Sequence, residues 1–392
     1  LGVLVAFKYT NFFIDNLRML TGDAAFRPVS LTLPLGLSFY TFRTISYVVD
    51  VFRRRIDPAQ SFLDYLFFLS FFPCLTAGPI VRADHFMPQL TPEALRQPVD
   101  RARIYGGFFT VLMGVIKKAV IADYLAQYSN IAFGNPAGYS GVELLMGALG
   151  YGLQIYCDFS GCSDMAIGLG AILGFDLGIN FDFPYRSRNV TEFWRRWHIS
   201  LSTWLKDYLY ISLGGNRRGR VRTYVNLMLT MLLGGLWHGA SGRFILWGGL
   251  HGAALAVHKF MMNHFPSFRP TGDTMSPLRR ICGVLITFHV VCFGWIFFRA
   301  DTMATGWDVI RQIFTAFHPE VFSQFVVGYT EVFLLILGGY AIHFMPRAVD
   351  TTVRGWVTQS PTLVQALYLT VAIIIVLQLK SADIVPFIYF QF

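Results

Sequence analysis

Two histidines set against tryptophans stand out in a chain made mostly of apolar residues. One lies in TEFWRRWHIS, Thr191 to Ser200, and the other in GGLWHGAS, Gly234 to Ser241. Neutral imidazole carries a lone pair that can take a proton near physiological pH. For His238 the surroundings favour that neutral form. The run YVNLMLTMLLGGLWHGA begins at Tyr224. The stretch from there to His238 would rise about 22 Å as a helix at ~1.5 Å per residue. A bilayer core is ~30 Å thick, so His238 is expected well inside it or past its middle. Low dielectric disfavours the imidazolium, and a histidine at that depth is a functional-site candidate by default. The chemistry expected there is proton abstraction.

His198 reads two ways from its neighbours, as an interfacial ring suited to the headgroup level or as a second site residue. Asn189 followed by Glu192 resembles a capping box, so a helix is expected to start there. At helical spacing Trp194, His198, Leu201 and Leu205 would share one face. Arg195, Arg196, Lys206 and Asp207 are too charged for lipid contact at the bilayer centre, so the segment is expected to be interfacial or re-entrant. His251, in WGGLHG, could line the same cavity as His238. His258, His264 and His318 read as loop or span-end residues, and His85, His289 and His343 carry no signal. QIYCDFSGCSD places Gln154, Asp158, Ser160 and Asp164 in an otherwise apolar run. They form either a helix-packing network or the polar lining of a channel. Asp158 is the most expensive of them to bury and requires a partner.

The elements that must position these residues are membrane helices. Of 392 residues 54% are hydrophobic and only 14% charged, against about 25% charged in soluble domains. Apolar runs fall near 1–20, 31–52, 62–81, 104–125, 141–174, 221–239, 244–262, 278–298, 325–345 and 362–379, with no soluble domain between them. An all-α, polytopic integral membrane protein of one domain, 1–392, is expected. The net charge of +9 sits in short loops, as cytoplasmic bias predicts, and is not read as a nucleic-acid footprint. The chain starts at Leu1 inside an apolar stretch, and further N-terminal spans are expected upstream.

Loop charges suggest a topology. Arg53 to Arg55 and the group Arg82, Arg96, Arg101 and Arg103 flank the run 62–81, so both loops look cytoplasmic. That run contains FFPCLTAGP, whose prolines break a helix, and a re-entrant segment resolves the conflict. The loop 126–140 has no Lys or Arg and would face outward. The loop 175–198, with four arginines, returns to the cytoplasmic side, as does GGNRRGRVR with Arg217.

Several chemistries lack their signatures. The five cysteines show no C-x-x-C spacing and lie in or beside apolar runs, so neither a disulfide framework nor a zinc site is expected. Two histidines without a carboxylate or thiolate cluster make a poor metal site. H-E-x-x-H, a Walker loop and G-x-S-x-G are missing. The glycines of GLGAILG, Gly168 to Gly174, have the wrong spacing for a dinucleotide site and suit close helix packing.

The block from QIYCDFSGCSD through FDFPYRSRNVTEFWRRWHISLSTWLKDYLYISLGGNRRG to LLGGLWHGAS and LWGGLHG closely resembles the membrane-bound O-acyltransferases. FFPCLTAGPIVRADHFMPQL and GWIFFRADTMATGWDVI are similar to its bacterial alginate and cellulose O-acetylation branch. The resemblance covers nearly the whole chain. It implies a ring of transmembrane and re-entrant helices around a thinned centre pierced by a tunnel. It also implies acyl transfer to a hydroxyl, with His238 as the catalytic residue and His198 at the second motif position. Two positions depart from the pattern: Gly242 and Arg243 follow LWHGAS where relatives often carry an aromatic, and Cys74 stands where a larger polar side chain is expected.

On that footing a cytosolic thioester, acetyl-CoA, would present its acyl group at a cytoplasmic mouth where Arg195, Arg196 and Arg217 attract phosphates. His238 would take the acceptor hydroxyl's proton, and His198 would orient the thioester or stabilise the oxyanion. Asp158, Ser160, Trp194, Trp197, Trp237, Ser241 and His251 would join the arginines in binding substrate or lining the passage. No bound cofactor is expected. The acetyl group would pass across the bacterial inner membrane to periplasmic proteins that modify an exopolysaccharide. The alternatives are D-alanyl transfer from a carrier-protein thioester, a transporter, or a non-enzymatic scaffold for an export complex.

Overall fold

In a computed structural model the chain is entirely helical among the described residues, which are 1–23, 25, 27–31, 34–268 and 276–379. The apolar run 31–52 therefore lies partly outside them. Helix α1 spans Gly2–Thr21 and stops at Gly22, whose φ of 68° few other residues adopt readily. Helix α2 spans Leu37–Phe52 and carries Arg43, fully buried.

Arg43 organises the segment after α2. Helix α3, Phe62–Ser70, is 9 residues long, about 13 Å at ~1.5 Å per residue, which is too short to cross a bilayer. Pro73 follows in a tight turn, and the Arg43 guanidinium donates to the Phe68, Leu69 and Cys74 carbonyls that this break leaves open. A short helix broken at a proline, with its open carbonyls met by a buried cation, is what a re-entrant segment at 62–81 would need. Short turns α4, Ala83–Phe86, and α5, Pro92–Leu95, lead onward.

Helix α6, Arg101–Val115, passes through a wider π-helical turn, Ile116–Ala122, into α7, Asp123–Gly134. The expected loop at 126–140 thus shrinks to 135–140. Residues 126–134 lack charge and proline, so nothing stops the helix before Gly134. Helix α8, Gly141–Ile172, is 32 residues long, starts at a capping box made by Ser140 and Glu143, and is the most buried element. It lies directly on α6. A Cβ on Gly107 would come 2.7 Å from Gly168 O, and one on Gly114 would come 2.6 Å from Gly161 O. Only glycine permits backbones that close.

After a polar loop come α9, Val190–Arg196, and α10, Ile199–Trp204, neither long enough to span. Helices α11, Arg220–His238, and α12, Gly242–His264, form a hairpin, and α13 spans Pro277–Arg299. On α13 Leu278, Ile281, Leu285 and Ile286 are exposed while Val291, Cys292, Trp295 and Phe298 are buried. An apolar outer face suits lipid. Helix α14, Met303–Thr315, is followed by α15, Val321–Gly328, and α16, Thr330–Phe344, which meet at 93°. Helices α17, Arg347–Gln359, and α18, Thr362–Leu379, meet at 120°. Among the described residues Arg101–Gly134 and Pro277–Arg299 alone are straight, long and apolar enough to cross a membrane unaided, and each bent pair adds one candidate.

Candidate active site

The α11–α12 hairpin brings two histidines together. Gly235 and Gly248 face the opposite helix so closely that a Cβ on either would run into the Phe244 or Met231 carbonyl. His238 ends α11 and is buried. From α1, Lys8 Nζ donates to the Trp237 and His238 carbonyls, at 2.5 and 3.3 Å, and the Tyr9 hydroxyl donates to Leu236 O at 3.0 Å. The last-turn carbonyls of α11 are thereby satisfied by a cation at the negative end of the helix. Ser241 sits just beyond, as the residue before α12, with its N–H on Gly239 O at 2.9 Å.

The His238 ring stands in an aromatic box. Its centroid lies 4.9 Å from Trp237, 5.0 Å from Trp247 and 5.3 Å from Phe298. Trp247 also contacts His251 at 4.8 Å and Trp194 at 5.8 Å, so one indole joins both histidines and α9. Trp247 lies in the LWGGLHG motif but is not among the site residues expected from the sequence. Arg243, one of the two departures from the expected pattern, lies over Phe244 at 4.2 Å and donates to Phe298 O at 2.7 Å, bracing that wall.

His198 corrects an expectation. Asn189 does cap α9, accepting from Glu192 N at 2.8 Å, but Glu192 returns its carboxylate to Arg188 N at 3.0 Å, one residue earlier than a capping box requires. The helix then breaks. Trp197 is extended and His198 is left-handed, with φ 41°, so Trp194 and His198 do not share a helical face with Leu201 and Leu205. A β-carbon residue in that region is strained and persists only where its surroundings hold it. Asn180 does so, accepting Ile199 N–H on its carbonyl at 2.9 Å and Ser200 N–H on its side chain at 3.2 Å. Phe159 of α8 meets the His198 ring edge-on at 4.4 Å.

A cavity of about 350 Å³ is lined by Arg195, Lys206, Lys259, Tyr210, Asn216 and Trp194. A second recess of about 520 Å³, edged by Arg220, joins it at Asn216, Lys259 and Met262. Trp194 separates this space from His251, 5.2 Å away. Of the three arginines expected at a phosphate-binding mouth, only Arg195 lines it. Arg196 is held by Glu192 at 2.8 Å and Asp182 at 3.7 Å, and Arg217 lies in an exposed turn. Lys206 and Lys259 supply the charge instead. His258, expected as a span-end residue, bonds Thr191 at 2.8 Å on the cavity wall.

Among the remaining candidates, Trp237 is itself a wall of the box around His238. Asp158 pairs with Lys118, which also bonds Asp123 at 2.7 Å, and Asp164 pairs with Lys117 at 2.6 Å. Ser160 is buried on α8. Trp197 packs against Trp295 at 4.9 Å and Trp237 stacks on Phe42 at 5.1 Å, both well inside the protein.

Comparison with known proteins identifies the family. Residues 24–310 match the profile described as MBOAT, membrane-bound O-acyltransferase family. A probable alginate O-acetylase of Pseudomonas aeruginosa is 44% identical over 80% of this chain and 58% of its own length. One of Pseudomonas putida is 36% identical over 100% of this chain and 82% of its own. A peptidoglycan O-acetyltransferase of Helicobacter pylori is 37% identical over 92% of this chain and 69% of its own. The chain thus spans about six tenths of the length of the Pseudomonas aeruginosa relative.

Proposed function

The chain belongs to the membrane-bound O-acyltransferase family, and from that premise we propose that it moves an acetyl group from a cytosolic thioester, acetyl-CoA, to a hydroxyl for O-acetylation of an exopolysaccharide. The relatives named as alginate O-acetylases and a peptidoglycan O-acetyltransferase support a polysaccharide as the final acceptor. The acetyl group crosses the inner membrane and passes to periplasmic modifying proteins.

The observation that carries this reading is the placement of His238. A basic cavity has Trp194 in its wall, and rings in contact connect Trp194 through Trp247 to His238. Arg195, Lys206 and Lys259 attract the donor's phosphates. Movement of the Trp194 indole opens the way for the acyl group toward His238.

His238 accepts the proton of the acceptor hydroxyl while its oxygen attacks the thioester carbonyl carbon. The C–O bond forms, the C–S bond breaks, and the departing thiolate takes the proton from His238, leaving an ester and free coenzyme thiol. Proton transfer by a positioned base contributes roughly 10²–10⁴-fold, and a box of aromatic rings that excludes water limits hydrolysis.

The test is transfer of labelled acetyl from acetyl-CoA by protein in proteoliposomes. His238→Ala should abolish transfer while the protein stays folded; unchanged turnover removes His238 from the reaction. Labelled D-alanine delivered from a carrier-protein thioester, with no acetyl transfer, would replace the donor. Solute uptake without thioester cleavage would indicate a transporter.

A further inference from the structure

The two nitrogens of the His198 ring have different surroundings. Nδ1 lies 3.2 Å from Asn180 Oδ1, whereas Nε2 is buried and has no hydrogen-bond partner among the described residues. Which tautomer is present depends on which way round the Asn180 amide sits, and one neighbour decides that. The backbone N–H of Ser200 can only donate, and it meets the same Asn180 atom at 3.2 Å. The Ser200 hydroxyl donates to that atom too, at 2.9 Å, while accepting Ile80 N–H at 2.9 Å. On the other side the Asn180 amide nitrogen donates to Ser163 Oγ at 3.0 Å. Turning the amide over would set an NH₂ group against a backbone N–H. The contact atom is therefore the oxygen, and the ring nitrogen facing it must carry the proton.

We propose that Asn180 is a positioning residue that holds His198 as its Nδ1–H tautomer, so that an unprotonated Nε2 accepts a hydrogen bond from a donor group on a substrate. That group is an amide N–H of the thioester's pantetheine arm or the O–H of the acceptor. The inference rests on the acyl-transfer reading for its ligand, and on geometry alone for its tautomer. A buried polar atom without a partner is costly, and a substrate donor removes that cost during the reaction. The expected oxyanion role for His198 is replaced, because a ring with its lone pair at Nε2 repels an oxyanion. Asn180 also staples the strained backbone at His198 through Ile199 and Ser200, so one side chain sets both the position and the tautomer of the ring.

Nitrogen-15 spectra of histidine-labelled protein in nanodiscs distinguish the tautomers, with His198 assigned by its loss in His198→Gln. The unprotonated resonance should belong to Nε2. It should shift on adding a non-transferable acetyl-CoA analogue if the thioester arm donates, or on adding acceptor oligosaccharide if the hydroxyl does. Asn180→Asp keeps an acceptor in place and should keep the tautomer and most turnover. Asn180→Leu should lose the tautomer preference and lower turnover by up to about 100-fold, the cost that misplacing a group at a reacting site can carry. A wild-type spectrum with the proton on Nε2 overturns the proposal whether or not either variant folds. So does an Nε2 resonance that neither ligand moves. A wild-type protein with the Nδ1–H tautomer but no acyl transfer would defeat the acyltransferase reading and leave the tautomer assignment intact.

Discussion

The indole of Trp247 stands at 87° to the imidazole of His238, with ring centroids 5.0 Å apart. Edge-to-face pairs of this kind add about 0.5–1.5 kcal/mol beyond burial, and here the same indole also meets His251 and Trp194. Trp247→Ala should destabilise the protein by about 3–5 kcal/mol, as large-to-small core changes do, and should reduce transfer at temperatures where the variant remains folded. Trp247→Phe keeps a ring and should recover most of the stability. Thermal unfolding in detergent and acetyl transfer, measured on the same preparations, check both.

A second prediction concerns the buried charges between α7 and α8. Lys118 bonds both Asp158 and Asp123, so removing it takes the ammonium from two carboxylates at once, whereas removing Asp158 leaves Lys118 with Asp123. Breaking a buried pair from one side costs about 3–5 kcal/mol. Lys118→Met should therefore cost more stability than Asp158→Asn, and the double variant should cost less than Lys118→Met alone. Equal losses in the two single variants would show that Asp123 does not share the lysine.

These charges mark where sequence reading stops. That Asp158 needs a partner follows from its apolar surroundings, but the identity of the partner does not. Lys117 and Lys118 lie in a π-helical turn, which a 3.6-residue pattern cannot reveal. That His238 is buried was legible, because a mostly apolar run ends on it. The break at His198 was not, since its left-handed backbone is stabilised by Asn180, 18 positions upstream in a loop with no periodic pattern. Arg195 and Arg196 look alike in sequence, and only the position of Glu192 and Asp182 separates a cation facing the cavity from one tied into the fold.

Glu192 yields a pH prediction. Burial pushes its carboxyl up, but hydrogen bonds from Arg188, with that guanidinium's charge and Arg196's, outweigh burial and hold it below its ordinary value of 4.5. A carboxylate depressed in the folded state contributes stability that is fully present above the unfolded value and is lost as pH falls through the folded one. Stability of the wild type should therefore fall from about pH 4.5 downward, and Glu192→Gln should be less stable at neutral pH yet flatter across that acid range. Melting temperature against pH, compared between the two proteins, reads the difference directly. An identical acid slope in both would mean that Glu192 titrates alike folded and unfolded.

The cavity makes the sharpest distinction among the basic residues. Lys259 lies on the wall shared by both recesses, bonded to Asn216 at 3.1 Å, while Arg217 lies in the neighbouring exposed turn without lining either. If donor phosphates bind in this space, Lys259→Ala should raise the KM for acetyl-CoA roughly tenfold with little change in kcat, the effect of losing one charge-assisted contact. Arg217→Ala should leave KM within about twofold, as expected for a screened surface charge. Raising the salt concentration should weaken donor binding in the wild type and narrow its gap from Lys259→Ala. Arg196→Ala should instead lower the melting temperature, because its guanidinium ties α9 to the 180s loop through Asp182. An unchanged KM in Lys259→Ala beside a raised one in Arg217→Ala would move the donor site out of the cavity and onto the exposed turn.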